Sequence, residues 1–264
     1  MPDGLYRADP LSFDEREEFE RDLIAFCDRA LDLLGDISGL RVLYAGGAAP
    51  LWLEGLAERI GPTGSLTALE ADAEKVEEAG RWLLDDEPPC PASVVAGSVF
   101  SPPFTPGSFD LAYSAGLLHE LDVSRDPARD ALRALSATLV PGGRLATEDF
   151  VDTHPAAQLE DEALEDELRR TLTGEEAYGI GSVERLISLH QRELEGVSWR
   201  EMPPFDPRHL DRLVLAEEEP HGYARLTETT RESLRERRVA LRERVLREGY
   251  IRPATLYVEG RGPT

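Results

Sequence analysis

From residue 40 onward, short apolar runs alternate with helix-periodic segments, and this rhythm limits the fold more than any other feature of the chain. Runs at 41–46, 65–70, 92–96, 109–114 and 143–149 read as strands, with helices expected near 51–60, 72–84 and 127–138. Strands joined through helices pair in parallel and are covered on both faces, so the expected architecture is an α/β sheet between two helical layers. The ligand crevice of such a sheet lies beyond the C-terminal ends of its strands.

The first run ends in a glycine loop, RVLYAGGAAP, at residues 41–50, and the second ends in an acid, Glu70. A strand, a glycine loop opening a helix, and an acid about 20 residues on is a pattern that holds nucleotide-type cofactors. Gly46 and Gly47 let a ligand approach the backbone. Glu70 offers acceptors to ribose hydroxyls. Pro50 falls in the first turn of the following helix, where that N–H has no helical partner, although the proline removes a donor from the helix N-terminus and biases Ala49 toward extended backbone.

The chain has 264 residues, enough for one well-buried domain with room for elaborations. Its 52 acidic residues outnumber 29 basic ones, giving a net charge of −23. Such a surface repels phosphate backbones and anionic lipid, so neither nucleic acid nor membrane is an expected partner. No apolar run approaches the roughly 18 residues of a membrane span, and the N-terminus lacks a secretory pattern. Cytoplasmic residence is the default expectation. Cys27 and Cys90 have no metal-ligand spacing and read as inert thiols. The five histidines, His119, His154, His190, His209 and His221, are likewise scattered, and no metal site is expected.

Residues 12–34 read as an amphipathic helix that opens on a capping box of Ser12 with Glu15 and stops at Gly35. Beyond Phe150 the strand rhythm breaks into helices at 157–173 and 182–194, a strand near 196–202, a helix at 228–248 and a last strand at 253–259. The expected organisation is a helical extension over 1–36 and a main domain over 37–264, with helical insertions at about 151–182 and 205–250 that cap a pocket. In the helix 231–248, acids interleave with arginines around an inward stripe of Leu234, Leu241 and Val245, so its arginines are expected on a solvated face.

The order and spacing of these segments resemble the class I S-adenosylmethionine-dependent methyltransferases. RVLYAGGAAP is similar to that family's first motif, LTALEADAEKVEEA at 66–79 to its second, and GSVFSPPF at 97–104 to the loop beside the adenine. GSFDLAYSAGLLHEL at 107–121 resembles its fourth-strand motif, LVPGGRLATEDF at 139–150 its turn into strand five, and PATLYVEGRGP at 253–263 its closing strand. The resemblance implies a Rossmann-like, seven-stranded, mostly parallel sheet, with residues 253–259 as an antiparallel edge strand. It implies S-adenosylmethionine as cofactor, contacted by Tyr44, Gly46, Gly47, Glu70, Ser98 and Ser114, and a small-molecule metabolite as substrate. The chain departs from the pattern at Tyr44, Ala48, Pro50 and Ser98, where the family carries acid, glycine, glycine and acid.

Methyl transfer needs an aligned nucleophile and, for many acceptors, a base. His119 is the first candidate base because imidazole titrates near neutrality. Glu148 and Asp149 are the other catalytic candidates, and as neighbours in a strand they point to opposite faces. His154 follows in a loop. The departures leave two alternatives open: a cyclase or lyase on the same fold that no longer transfers methyl groups, and a non-catalytic subunit. A homodimer or pairing with a homologous subunit suits these readings.

Overall fold

The computed structural model describes residues 11–85, 87–121, 126–153, 157–174, 179–205, 207–212, 223–250 and 252–262. The chain divides into two compact units, one of residues 27–155, 176–204 and 253–264, the other of residues 1–26, 156–175 and 205–252.

The larger unit is built on a seven-stranded sheet of order β3-β2-β1-β4-β5-β7-β6. The strands are β1 (Arg41–Ala45), β2 (Ser65–Glu70), β3 (Ala92–Ala96), β4 (Phe109–Ala115), β5 (Leu139–Val151), β6 (Glu195–Met202) and β7 (Ala254–Arg261). β1 to β5 pair in parallel, whereas β7 runs antiparallel to both β5 and β6. β7 is therefore antiparallel as expected but is not the edge strand. It lies one place in, and β6 forms the edge. The burial patterns give the physical reason: β7 is buried along nearly its whole length, while β6 is exposed along most of its own, and only an apolar strand is stable between two neighbours.

Alternation along the strands creates two cores, one on each face. On one face Val42, Tyr44, Leu66, Ala68, Leu111, Tyr113, Ala146 and Tyr257 meet the end of α1 (Phe13–Leu31), α2 (Pro50–Ile60) and α3 (Ala73–Asp85). On the other, Leu43, Leu69, Ala112, Leu145, Leu256 and Val258 meet α4 (Asp126–Ser136) and α6 (Val183–Glu193). Each fully buried leucine contributes roughly 1.5–3 kcal/mol relative to exposure. The first helix begins on the expected capping box: Ser12 N donates to Glu15 Oε2 at 2.8 Å and Glu15 N donates to Ser12 Oγ at 3.4 Å. Its last turn tightens into a 3₁₀ turn, Asp32–Leu34, before Gly35.

In the smaller unit, α5 (Ala157–Thr173) packs against α7 (Glu228–Glu248) around Leu164, Leu168, Leu234, Leu241 and Val245. The predicted inward stripe is present, but the solvated-face reading fails at Arg238, which is 5% exposed and continues the stripe. Its guanidinium is accommodated because Glu165 and Asp161 of α5 pair with it. Within the same unit, Arg208 grips Asp22 through its backbone and side chain at 2.9 Å, which holds that carboxyl down at about 2.

Candidate active site

β1 ends at Ala45, and Gly46 follows with φ +75°, its N–H donating to Leu69 O at 2.9 Å. The loop then drops through Ala48, which is 4% exposed within the core, to an extended Ala49 that caps α2. Pro50 occupies the first turn of that helix and Ala49 offers no side-chain cap. The proline is thus at home at a helix start.

The two loop glycines are used in an unexpected way. A Cβ on Gly47 would stand 2.8 Å from the Tyr44 hydroxyl, and one on Gly46 would stand 2.3 Å from Leu117 Cδ1. Both bare backbones therefore accommodate side chains of the chain itself. Tyr44 is 2% exposed and stacks with Trp52 at 6.4 Å and Tyr113 at 6.0 Å between ring centroids. Burial pushes its phenol well above the usual range. A neutral tyrosine thus stands where the resemblance would place a charged acid, below the loop and inside the aromatic layer.

Glu70 ends β2, 6% exposed, and its Oε1 accepts from Asp72 N at 2.8 Å. Gly97 N donates to Glu70 O at 2.9 Å, which brings Ser98 beside it. The Ser98 hydroxyl accepts from Phe100 N at 3.2 Å and retains its own proton to donate. Glu70 and Ser98 thus make a pair of polar groups at the ends of β2 and β3 that suits a ribose and the base it carries. Ser114 is different. It is 1% exposed and its Oγ has no hydrogen bond.

At the ends of β4 and β5 the sequence candidates separate as strand alternation predicts. Asp149 is 1% exposed and gathers four donors: Leu118 N at 2.5 Å, His119 N at 3.2 Å, His119 Nδ1 at 2.8 Å and Phe150 N at 2.9 Å. The ring of His119 also packs edge-on against Phe150, 5.0 Å between centroids. With Nδ1–H donated to the carboxylate, a neutral imidazole carries its lone pair on Nε2. Glu148 points to the opposite face. Its Oε1 accepts from Thr255 Oγ1 at 2.6 Å, and burial raises its carboxyl above the ordinary range. Its Oε2 and the Tyr113 hydroxyl have no hydrogen bond. The dyad is thus His119 with Asp149, and Glu148 stands apart from it.

Two residues with a bearing on the site have no sequence signal. Leu117 is one apolar residue among several in GLLHEL, and only the folded loop sets it on Gly46. His190 lies on the Asp149 side of the sheet, where Thr147 Oγ1 approaches Nε2 at 2.9 Å and Nδ1 meets Leu186 O at 2.8 Å. Burial holds it neutral, down at about 4. His154 and His221 lie outside the described residues. Among the described residues, no group of three or more histidine, cysteine or acidic side chains is arranged to hold a metal, and no helix is long and apolar enough to cross a membrane.

Residues 42–143 match the family described as methyltransferase domain. That stretch runs from β1 into the first part of β5, so the match lies on the strands and loops of the sheet-bearing unit. No curated protein matches this methyltransferase-fold chain. Solved structures do resemble it. Geranyl diphosphate C-methyltransferase of Streptomyces coelicolor, solved with S-adenosylhomocysteine, is 13% identical with a TM-score of 0.58, over 98% of this chain and 83% of its own. A phosphoethanolamine N-methyltransferase of Haemonchus contortus, also with S-adenosylhomocysteine, is 12% identical with a TM-score of 0.59, over 96% of this chain and 58% of its own. The [4+2]-cyclase SpnF is 16% identical with a TM-score of 0.57, over 98% of this chain and 86% of its own. At these identities the likeness is one of fold.

Proposed function

We propose that the protein is an S-adenosylmethionine-dependent methyltransferase acting on a small-molecule metabolite. The observation that carries the reading is the His119–Asp149 dyad at the strand ends, buried and held by four hydrogen bonds to one carboxylate. The family match over residues 42–143 and the juxtaposition of Glu70 with Ser98 support it. The adenosine end of the cofactor fits these residues: Glu70 accepts from the ribose hydroxyls and Ser98 bonds near the base.

Bound S-adenosylmethionine supplies a sulfonium methyl to an in-line nucleophile. The chain orients that nucleophile and removes its proton. His119 Nε2 would take the proton from the O–H or N–H of an acceptor held beside it, so that the acceptor atom could receive the methyl group that the cofactor would supply. Asp149 holds the Nδ1–H tautomer and stabilises the imidazolium that results. Tyr44, Gly46, Gly47 and Ser114 support the loop and strand ends around the cofactor. Glu148, buried and bonded to Thr255 on the opposite face, acts on the packing of the site and not on the acceptor.

The test is calorimetric titration with S-adenosylmethionine, followed by mass analysis of candidate acceptors. Saturable heat that falls in Glu70→Ala, with one methyl gained by the acceptor, is the expected result. No heat at millimolar cofactor ends this reading. A second reading, a cyclase or lyase on the same fold, is favoured by one feature, the Leu117 side chain set against Gly46. Cofactor binding without methyl transfer to any acceptor points there. A homodimer, or pairing with a homologous subunit, is the assembly proposed for either enzyme, and sizing after coexpression checks it.

A further inference from the structure

The geometry points to Leu117 as the residue that decides how much of an adenosine-type ligand this site admits. The inference rests on the reading of Glu70 and Ser98 as the adenosine end. Ala45 is in register with Leu69, and Gly46 N donates to Leu69 O, so Gly46 stands beside Glu70 on the next strand. A ribose held by its diol on Glu70 would lie beside Gly46, and a long 5′ substituent directed toward β1 would meet this residue. At that point the room that a glycine leaves is already filled. Leu117 Cδ1, Cγ and Cδ2 lie 2.3, 3.0 and 3.1 Å from where a Gly46 Cβ would be, and Leu117 is 4% exposed.

The backbone that delivers Leu117 is fixed on both sides. Gly116, with φ +68°, donates its N–H to Glu148 O at 2.8 Å, and Leu118 N donates to Asp149 at 2.5 Å. What can yield is the side chain, by changing rotamer. A nucleoside with a short 5′ substituent would ask for little of the room that Leu117 fills. One that bears a full amino-acid arm enters only when Leu117 rotates off Gly46, so its affinity is reduced by the work of that rotation. Leu117 is in this sense a specificity-determining residue, which sets the balance between short-armed and long-armed ligands.

Calorimetric titrations with 5′-methylthioadenosine and S-adenosylhomocysteine on the wild type and on Leu117→Val test this, since valine lacks both δ carbons. The expected result is affinity for S-adenosylhomocysteine about tenfold higher in the variant, with 5′-methylthioadenosine changed by less than about twofold. Leu117→Met, which removes the branch, should move in the same direction, and it keeps the test available if valine impairs folding. Equal responses of the two ligands, or an unchanged affinity for S-adenosylhomocysteine, overturn the inference alone. Absence of binding by both ligands to every form overturns the adenosine reading, and the inference with it.

Discussion

The arrangement around Asp149 shows how one carboxylate makes a histidine chemically definite. Its bonds to the backbone of residues 118, 119 and 150 fix the turn, and the same oxygens fix the imidazole tautomer. Asp149→Asn should therefore lower turnover about 10²–10⁴-fold, the usual scale for a lost acid–base function, while cofactor affinity stays within about twofold. Parallel kinetics and titration check this split, and equal losses in both would mark a merely structural role. His190 makes a separate prediction. Its folded value of about 4 lies below the 6.5 of an ordinary imidazole, so the unfolded chain binds the extra proton between those values. The stability from this group is present above pH 6.5 and is lost as pH falls toward 4, an effect on the order of 3 kcal/mol. Urea denaturation across that window should show a slope that flattens in His190→Gln. Glu148 acts with the opposite sign, because its raised carboxyl favours the folded state at low pH and loses that contribution as pH rises through its folded value.

At the scale of elements, α7 illustrates what a mixed-charge helix hides. Arginines and acids follow one another so closely that its charge pattern resembles a solvent-facing surface, yet Arg238 is inside. Glu165 and Asp161, from α5, are what make that burial tolerable. Removing a partner leaves a buried charge, whereas removing the arginine leaves carboxylates that reach water more readily. Glu165→Ala should consequently destabilise more than Arg238→Met, by about 1–3 kcal/mol in chemical denaturation, and the reverse order would show that the pair is not the reason for the burial. The first loop makes a related point. Pro50 is accommodated as the opening residue of α2, and the crowding at this loop comes from Leu117, carried in from the end of β4.

On the scale of the whole molecule, the chain interleaves its two units, since residues 1–26, 156–175 and 205–252 make one and the remainder the other. The division falls within α1, whose residues from Cys27 onward join the sheet-bearing unit. The net charge of −23 belongs to the molecule as a whole, and self-repulsion on this scale opposes the compact state. Salt screens it, the Debye length shrinking from about 10 Å at 0.1 M to about 3 Å at 1 M. Thermal melts should therefore rise by several degrees between low and high sodium chloride, and a melting temperature independent of salt would show that the charge is already balanced locally.

The strand and helix rhythm, the capping box at Ser12, the inward stripe of α7 and the opposite facing of Glu148 and Asp149 were all legible in the sequence. These features depend on local periodicity, and periodicity is written along the chain. The identity of the edge strand, the burial of Arg238, the dyad formed across 30 residues, and the setting of Leu117 on Gly46 were not legible. Each depends on which distant segment arrives at a given place, and that is decided only when the sheet order and the packing of both faces are complete.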